Sequence, residues 1–144
     1  MRTLVSTLFL SLFIFMSCDE TKKVIDVAGS VQLSGAYEIT SVGDTKVNEP
    51  TINLNFAALD KSIRGNAGCN SFFGSYTLDL YALSFKDISA TENYCDEAIM
   101  TTENAIMNAL RNTGSYSYED NVLTLYSKAD RSVLLKANKE KREE

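Results

Sequence analysis

The chain has 144 residues, 44% hydrophobic and 23% charged, with a formal net charge of −5, which suits one ordinary domain with a single core plus short appendages. The acidic balance excludes the basic face that a nucleic-acid binder needs. The chain has no histidine and no tryptophan, so acid–base chemistry would depend on a strongly shifted Asp, Glu, Tyr, Lys or Cys, and no indole is available as a stacking platform.

Residues 1–18 read MRTLVSTLFLSLFIFMSC: one arginine, then an apolar run from Leu4 to Met16. The run is shorter than the roughly 18–20 residues of a membrane-spanning helix and has the layout of a secretory signal peptide. Its ending, FMSC, resembles a bacterial lipobox, in which a small residue (Ser17) precedes a cysteine that becomes the acylated first residue. Residues 1–17 are therefore expected to be a lipoprotein signal peptide and Cys18 the site of lipidation by palmitate-type chains. The mature chain would carry 13 basic and 19 acidic residues, a formal charge of −6 once Arg2 is removed from the total. Asp19 and Glu20 follow Cys18, and residues 18–33, mixed charge and small side chains, read as a tether.

The first strand is expected over Ala36–Val42, with Tyr37 and Ile39 on one face. Gly43-Asp44 and Pro50 then mark a turn region. Ile52, Leu54 and Phe56 alternate with Asn53 and Asn55, the period of a half-buried strand. A hairpin turn at Asp60-Lys61 returns the chain through Ile63. GSYTL and LSFKDI read as two short strands around a turn at Asp79–Ala82. From Asp96 to Asn112 the period changes: Ile99, Ile106 and Leu110 form a helical stripe flanked by Ala98, Ala105 and Ala109, with Met100 and Met107 as gap fillers. Asn93 or Asp96 could cap this helix, Glu97 and Arg111 suit its two ends, and Gly114 is expected to stop it in the left-handed conformation. SYSYEDNVLTLYS reads as a hairpin turning at Glu119–Asn121. Val133–Ala137 reads as a last strand, and residues 138–144 as a charged, frayed tail. The predicted architecture is α+β: seven or eight short antiparallel strands curled into a roll or partial barrel, with one helix near residues 96–112.

Of the three cysteines, Cys69 and Cys95 remain once Cys18 is lipidated. In an envelope compartment they can form one bridge, or stay as two buried thiols. Closing that loop would stabilise the fold by about 3.5 kcal/mol in the chain-entropy model. Two thiolates without histidine or a C-x-x-C spacing do not supply four zinc ligands, so no metal is expected.

The segment GNAGCNSFFGSY, residues 65–76, concentrates three of the seven glycines. It is not a P-loop, since no lysine follows Gly68 or Gly74 at the required place, and it lacks G-x-G-x-x-G. Cys69 has Arg64 nearby in sequence but no histidine to activate it. What remains is a backbone role: Gly65, Gly68 and Gly74 permit tight bends, a bulge or close approach, while Asn66 and Asn70 tolerate similar conformations and bond local backbone.

The segment GNAGCNSFFGSYTLD resembles the signature of the META domain, or HslJ-like, family: Gly-Cys-Asn, an aromatic, then Gly-x-Tyr at Gly74–Tyr76. TENYC (91–95), ENAIMNAL (103–110) and YSYEDNVLTLYSKADRSVLLKA continue the likeness over residues 34–137. Asn93 and Tyr94 stand where Met-Ala is usual, Asp96 where proline is common and Tyr37 where tryptophan is common, and the DLYA turn lacks the usual glycine. The resemblance implies that Gly65, Gly68, Asn70, Gly74 and Tyr76 are structural motif residues and that Cys69 and Cys95 are bridged. It also implies an envelope protein, often a lipoprotein, some members being linked to heat shock or antibiotic tolerance, with no catalytic activity and no cofactor.

The leading expectation is thus a non-enzymatic, lipid-anchored envelope protein in stress tolerance or envelope maintenance, facing the periplasm or cell surface from the outer membrane. Its expected partner is the membrane, with no nucleic acid, and an envelope protein or a hydrophobic ligand is a further candidate. The alternative is a binding module for a lipid, peptide or small hydrophobe, with Tyr116, Tyr118 and Tyr126 either lining a groove or packing between strand faces. An enzyme is the third reading, on the acids Asp87, Glu92, Glu97 and Glu103, none of which has a spacing that demands chemistry.

Overall fold

The computed structural model describes residues 27–141; Cys18 and the expected signal peptide lie outside the described residues. The first described element is helical, α1 (27–33). The chain continues through strands β1 (Gly35–Val42), β2 (Thr45–Lys46), β3 (Asn53–Ala57), β4 (Ser62–Asn66), β5 (Ser71–Asp79) and β6 (Ala82–Ala90), then helix α2 (Glu97–Asn112), and ends with β7 (Thr113–Glu119), β8 (Val122–Ser127) and β9 (Val133–Lys139). Neighbouring strands pair antiparallel in the order β2-β1-β3-β4-β5-β6-β7-β8-β9, and β9 pairs with β1. Eight strands therefore close on themselves, with β2 as an extra strand on β1. The predicted roll or partial barrel is a closed barrel.

Closure follows from the alternation read in the sequence. Tyr37 and Ile39 in β1, Leu54 and Phe56 in β3, Ile63 in β4 and Leu123 and Leu125 in β8 are all almost wholly buried and face the interior. An eight-stranded barrel leaves a lumen that side chains just fill. Here Phe56 stands edge-on to Tyr76 at 5.3 Å and to Tyr37 at 5.8 Å, and Phe85 lies 6.0 Å away. The wall is thinnest between β6 and β7, where one residue pair, Ala82 with Ser115, is in register.

Each end of the barrel is covered by a helix. The first contains the starts of β3, β5, β7 and β9, and here α2 lies across strands β1, β6, β8 and β9. It turns Ile106, Met107, Ala109 and Leu110 inward, each large side chain contributing about 1.5–3 kcal/mol of burial. Asp96 is its N-cap residue, without a side-chain capping bond.

Its C-terminus differs from expectation. Thr113 leaves the helix in an extended conformation and starts β7, and its hydroxyl returns a 2.8 Å bond to the Ala109 carbonyl. Gly114 therefore does not stop the helix in the left-handed region. It sits in the strand, where a Cβ would collide with Lys128.

The other end is covered by α1, which corrects the reading of residues 18–33 as a tether throughout. Leu33 and Ser30 are buried, Tyr37 donates 2.9 Å to the Leu33 carbonyl, and Lys139 Nζ donates 2.9 Å to the Gln32 carbonyl. The few apolar residues of VAGSVQL were too sparse for a helical stripe. The helix is held by the barrel end it covers. The tail is corrected similarly: residues 138 and 139 belong to β9, because β1 and β8 both offer them partners.

Candidate functional site

Residues 65–76 form the end of β4, the β4–β5 connection and the first part of β5. Gly65 pairs with Phe72 across the hairpin, and a Cβ there would strike both the Phe72 ring and the Asn53 carbonyl of β3. Glycine is needed for that close approach. Gly68 has φ +127°, a conformation side chains rarely adopt, and lies against Ile99 of α2. Gly74 lies where the β5–β6 register shifts. Asn66 bonds locally, its side-chain oxygen accepting 2.7 Å from the Gly68 amide.

Asn70 does something else. Its side chain is buried, and its bonds are long-range. Nδ2 donates to Glu103 Oε1 at 2.7 Å and to the Asn93 carbonyl at 3.1 Å. Oδ1 accepts from the Thr91 hydroxyl at 2.8 Å and the Asn93 amide at 2.7 Å. Both donors and both lone pairs of the amide are thus used. Glu103 Oε2 accepts from the Asn70 amide at 2.7 Å and the Cys69 amide at 3.2 Å. One buried carboxylate on α2 therefore holds three N–H groups of the Cys69-Asn70 turn. A disulfide joins Cys69 to Cys95 (Cα–Cα 6.0 Å) and ties the same turn to the segment entering α2.

The structure thus brings together Gly65, Gly68, Cys69, Asn70 and Cys95 at the α2 end. Tyr76 belongs to the opposite end. It is buried there, with its phenol bonded to the Ser30 hydroxyl of α1 and 3.5 Å from the Ala57 carbonyl. Burial raises the pKa of the Tyr37, Tyr76 and Tyr116 phenols above their ordinary value. The three tyrosines of the last hairpin do not line a groove together: Tyr116 is buried, while Tyr118 and Tyr126 are half-buried.

The acids singled out in the sequence do not converge. Asp87, Glu92 and Glu97 are exposed and separate from the buried Glu103. The bracing role of Glu103, and those of Thr91 and Asn93, escaped the sequence reading. One signal for Glu103 was there: it occupies the apolar stripe Ile99–Glu103–Ile106–Leu110 at helical spacing, where an acid must find partners. Among the described residues, no three His, Cys, Asp or Glu side chains cluster as metal ligands.

A cleft of about 490 Å³ opens beside this node, lined by Lys46, Glu49, Ile52, Gly68, Ile99 and Thr102 among others. Half-buried Gly68 and the Ile99 side chain, 39% exposed, both contribute to this lining.

A family model described as META domain matches residues 30–140. Among solved structures, an NMR structure of a protein from Burkholderia xenovorans matches with a TM-score of 0.64 and 22% identity, over 81% of this chain and 89% of that one. A crystal structure of a duf4847 family protein from Bacteroides vulgatus matches with a TM-score of 0.58 and 14% identity, over 81% of this chain and 99% of that one. At such identities the likeness is one of fold. No curated protein matches the chain.

Proposed function

The chain belongs to the META domain family, and from that premise we propose that it is a non-enzymatic, lipid-anchored envelope protein acting in stress tolerance or envelope maintenance. One observation carries the non-enzymatic part: the buried Asn70–Glu103 pair is engaged by partners of the same chain, backbone and side chain. Both Glu103 oxygens and all four bonding positions of the Asn70 amide are engaged within the chain. A general acid or base must instead reach a substrate atom. The lipid anchor is supported by the FMSC sequence ending at Cys18.

The test is Cys18→Ala in the native host. The wild-type protein is expected in the membrane fraction with an acyl adduct on the Cys18 peptide, and the variant in the soluble envelope fraction or retained as precursor. Wild-type and variant chains that both lack the adduct overturn the anchor. A deletion strain should lose survival under heat or envelope challenge, regained with wild type but not with Cys18→Ala. Turnover in a substrate panel that a single substitution at an exposed acid, Asp87→Asn, Glu92→Gln or Glu97→Gln, abolishes at unchanged stability overturns the non-enzymatic reading.

The cleft beside Gly68 favours a second reading, a binding module for a lipid, peptide or small hydrophobe. Its volume falls within the roughly 300–1,000 Å³ of small-molecule sites. Native mass spectrometry of gently extracted protein should then show a bound mass that Ile99→Asp removes; an identical bare mass for both sinks it.

A further inference from the structure

The exposed apolar side chains are unevenly placed. Of nine large hydrophobic residues exposed among those described, Val27 and Val31 lie on α1, Leu59 in the β3–β4 turn, and Leu80 and Tyr81 in the β5–β6 turn. All five belong to the end of the barrel that α1 covers. Leu59 is completely exposed and Tyr81 is 77% exposed. Val31 and Leu59 share one open cleft there, together with Lys139, Glu140 and Lys141. The β7–β8 turn at the same end is polar, Asp120-Asn121. The apolar surface is therefore a crescent over the β3–β6 side.

The fold gives no reason for these choices. Leu59 and Tyr81 contribute little to the core. Leu80 holds φ +57°, which costs a Cβ-bearing residue about 1–2 kcal/mol, and its side chain is 49% exposed.

The chain that precedes the structure enters at this same end. Cys18 stands nine positions before Val27, so the connection spans at most about 30 Å. A strand of eight residues, such as β1, is about 26 Å long. A tether of that reach keeps the α1 end nearest to whatever holds Cys18.

We propose that the α1 end of the barrel rests on the lipid bilayer, with Leu59 and Tyr81 dipping into its headgroup and acyl boundary and Val27 and Val31 lying along it. This proposal depends on the reading of Cys18 as the lipid anchor. The occupant is the apolar boundary rather than headgroup charge, because the rim carries both signs: Asp60, Asp79 and Glu140 beside Lys139 and Lys141. The docked crescent turns the disulfide end and its cleft away from the membrane.

The chain has no tryptophan, so one introduced indole reports its own depth. Leu59→Trp, Tyr81→Trp and, at the opposite end, Tyr94→Trp are made in the full-length gene. Each mature protein is purified from membranes and reconstituted into phosphatidylcholine vesicles with and without brominated acyl chains. A side chain about 5–10 Å into the interface should lose roughly half its emission to bromine, so the indoles at 59 and 81 are quenched and the one at 94 is not. Adding phosphatidylglycerol leaves this pattern unchanged. Protein that floats with the vesicles while all three indoles escape quenching overturns the docking and leaves the anchor standing. A blue shift at 59 that grows with protein concentration and ignores bromine assigns the face to a second copy and also overturns it. Protein that does not float and carries no acyl group on Cys18 ends the anchor reading, and the docking with it.

Discussion

Glu103 shows how one buried residue can fix the shape of a turn. Its carboxylate takes three N–H groups from Cys69 and Asn70, donors that no strand ladder satisfies at that turn. Removing it leaves them buried without an acceptor, at about 1–3 kcal/mol each before any water enters. Glu103→Ala should therefore lower the stability of the oxidised protein by roughly 3–5 kcal/mol in urea denaturation. Glu103→Gln, which sets an NH₂ against the NH₂ of Asn70, should lose roughly 1–3 kcal/mol. If the alanine variant unfolds at the wild-type urea concentration, the brace is not what holds this turn. Gly65 is the backbone counterpart: the Phe72 ring lies over it and Asn53 passes behind it.

At the scale of elements, the hairpin turns fill their left-handed positions with different residues. The β7–β8 turn sets Asp120 and Asn121 at φ +51° and +64°, both residues that tolerate the left-handed region in a two-residue hairpin. Two Asp-x-Ser turns repeat one arrangement: Asp60 and Asp130 each accept 2.7 Å from the following serine hydroxyl and 3.1 Å from its amide. Those bonds hold both carboxyls below their usual pKa. Those two turns place Lys61 (φ +52°) and Arg131 (φ +60°) in the left-handed region, and the β5–β6 turn places Leu80 there (φ +57°), the apolar member of the three. Leu80→Asn should raise stability by about 0.5–1 kcal/mol, since asparagine enters this conformation more readily. A thermal-unfolding midpoint unchanged or lowered would show that Leu80 is not strained. The DLYA turn was marked in the sequence by its lack of glycine, and the structure supplies the consequence.

For the whole molecule, closure is the governing event. The disulfide joins the β4–β5 connection to the segment between β6 and α2, at the α2 end of the barrel. Replacing both Cys69 and Cys95 by serine should lower stability by up to about 3.5 kcal/mol, with the circular-dichroism signature of the barrel retained below the midpoint; an unchanged denaturation curve would show that the bridge constrains nothing.

The tyrosines give closure a pH dependence. Burial raises the Tyr37, Tyr76 and Tyr116 phenols above the ordinary value of 10.0. The folded chain then keeps protons that the unfolded chain releases, so this stability is complete below about pH 10 and falls as pH rises further. Phenolate absorbance of these three should appear together with unfolding. Tyr37→Phe, which removes the bond to the Leu33 carbonyl, should make the alkaline decline of the urea midpoint shallower; an equal slope would remove Tyr37 from the account.

Much of this protein was determined by the sequence itself. The period-2 runs at Tyr37–Ile39 and Ile52–Phe56, the helical stripe from Ile99 to Leu110, the turns at Asp60, Asp79 and Asp120, and the glycine segment around Cys69 are local patterns. Side-chain alternation and turn chemistry act within a few residues, so they can be read without neighbours.

The tertiary structure decided what depends on residues far apart in the chain. The pairing of β9 with β1 turned a roll into a closed barrel. The barrel end made a helix of residues 27–33, which have little propensity of their own. The convergence of Asn70, Thr91, Asn93 and Glu103 made a brace from polar residues that, read singly, could as well have been solvated or catalytic. A buried polar group takes its meaning from the partner that satisfies it, and that partner is set by the fold.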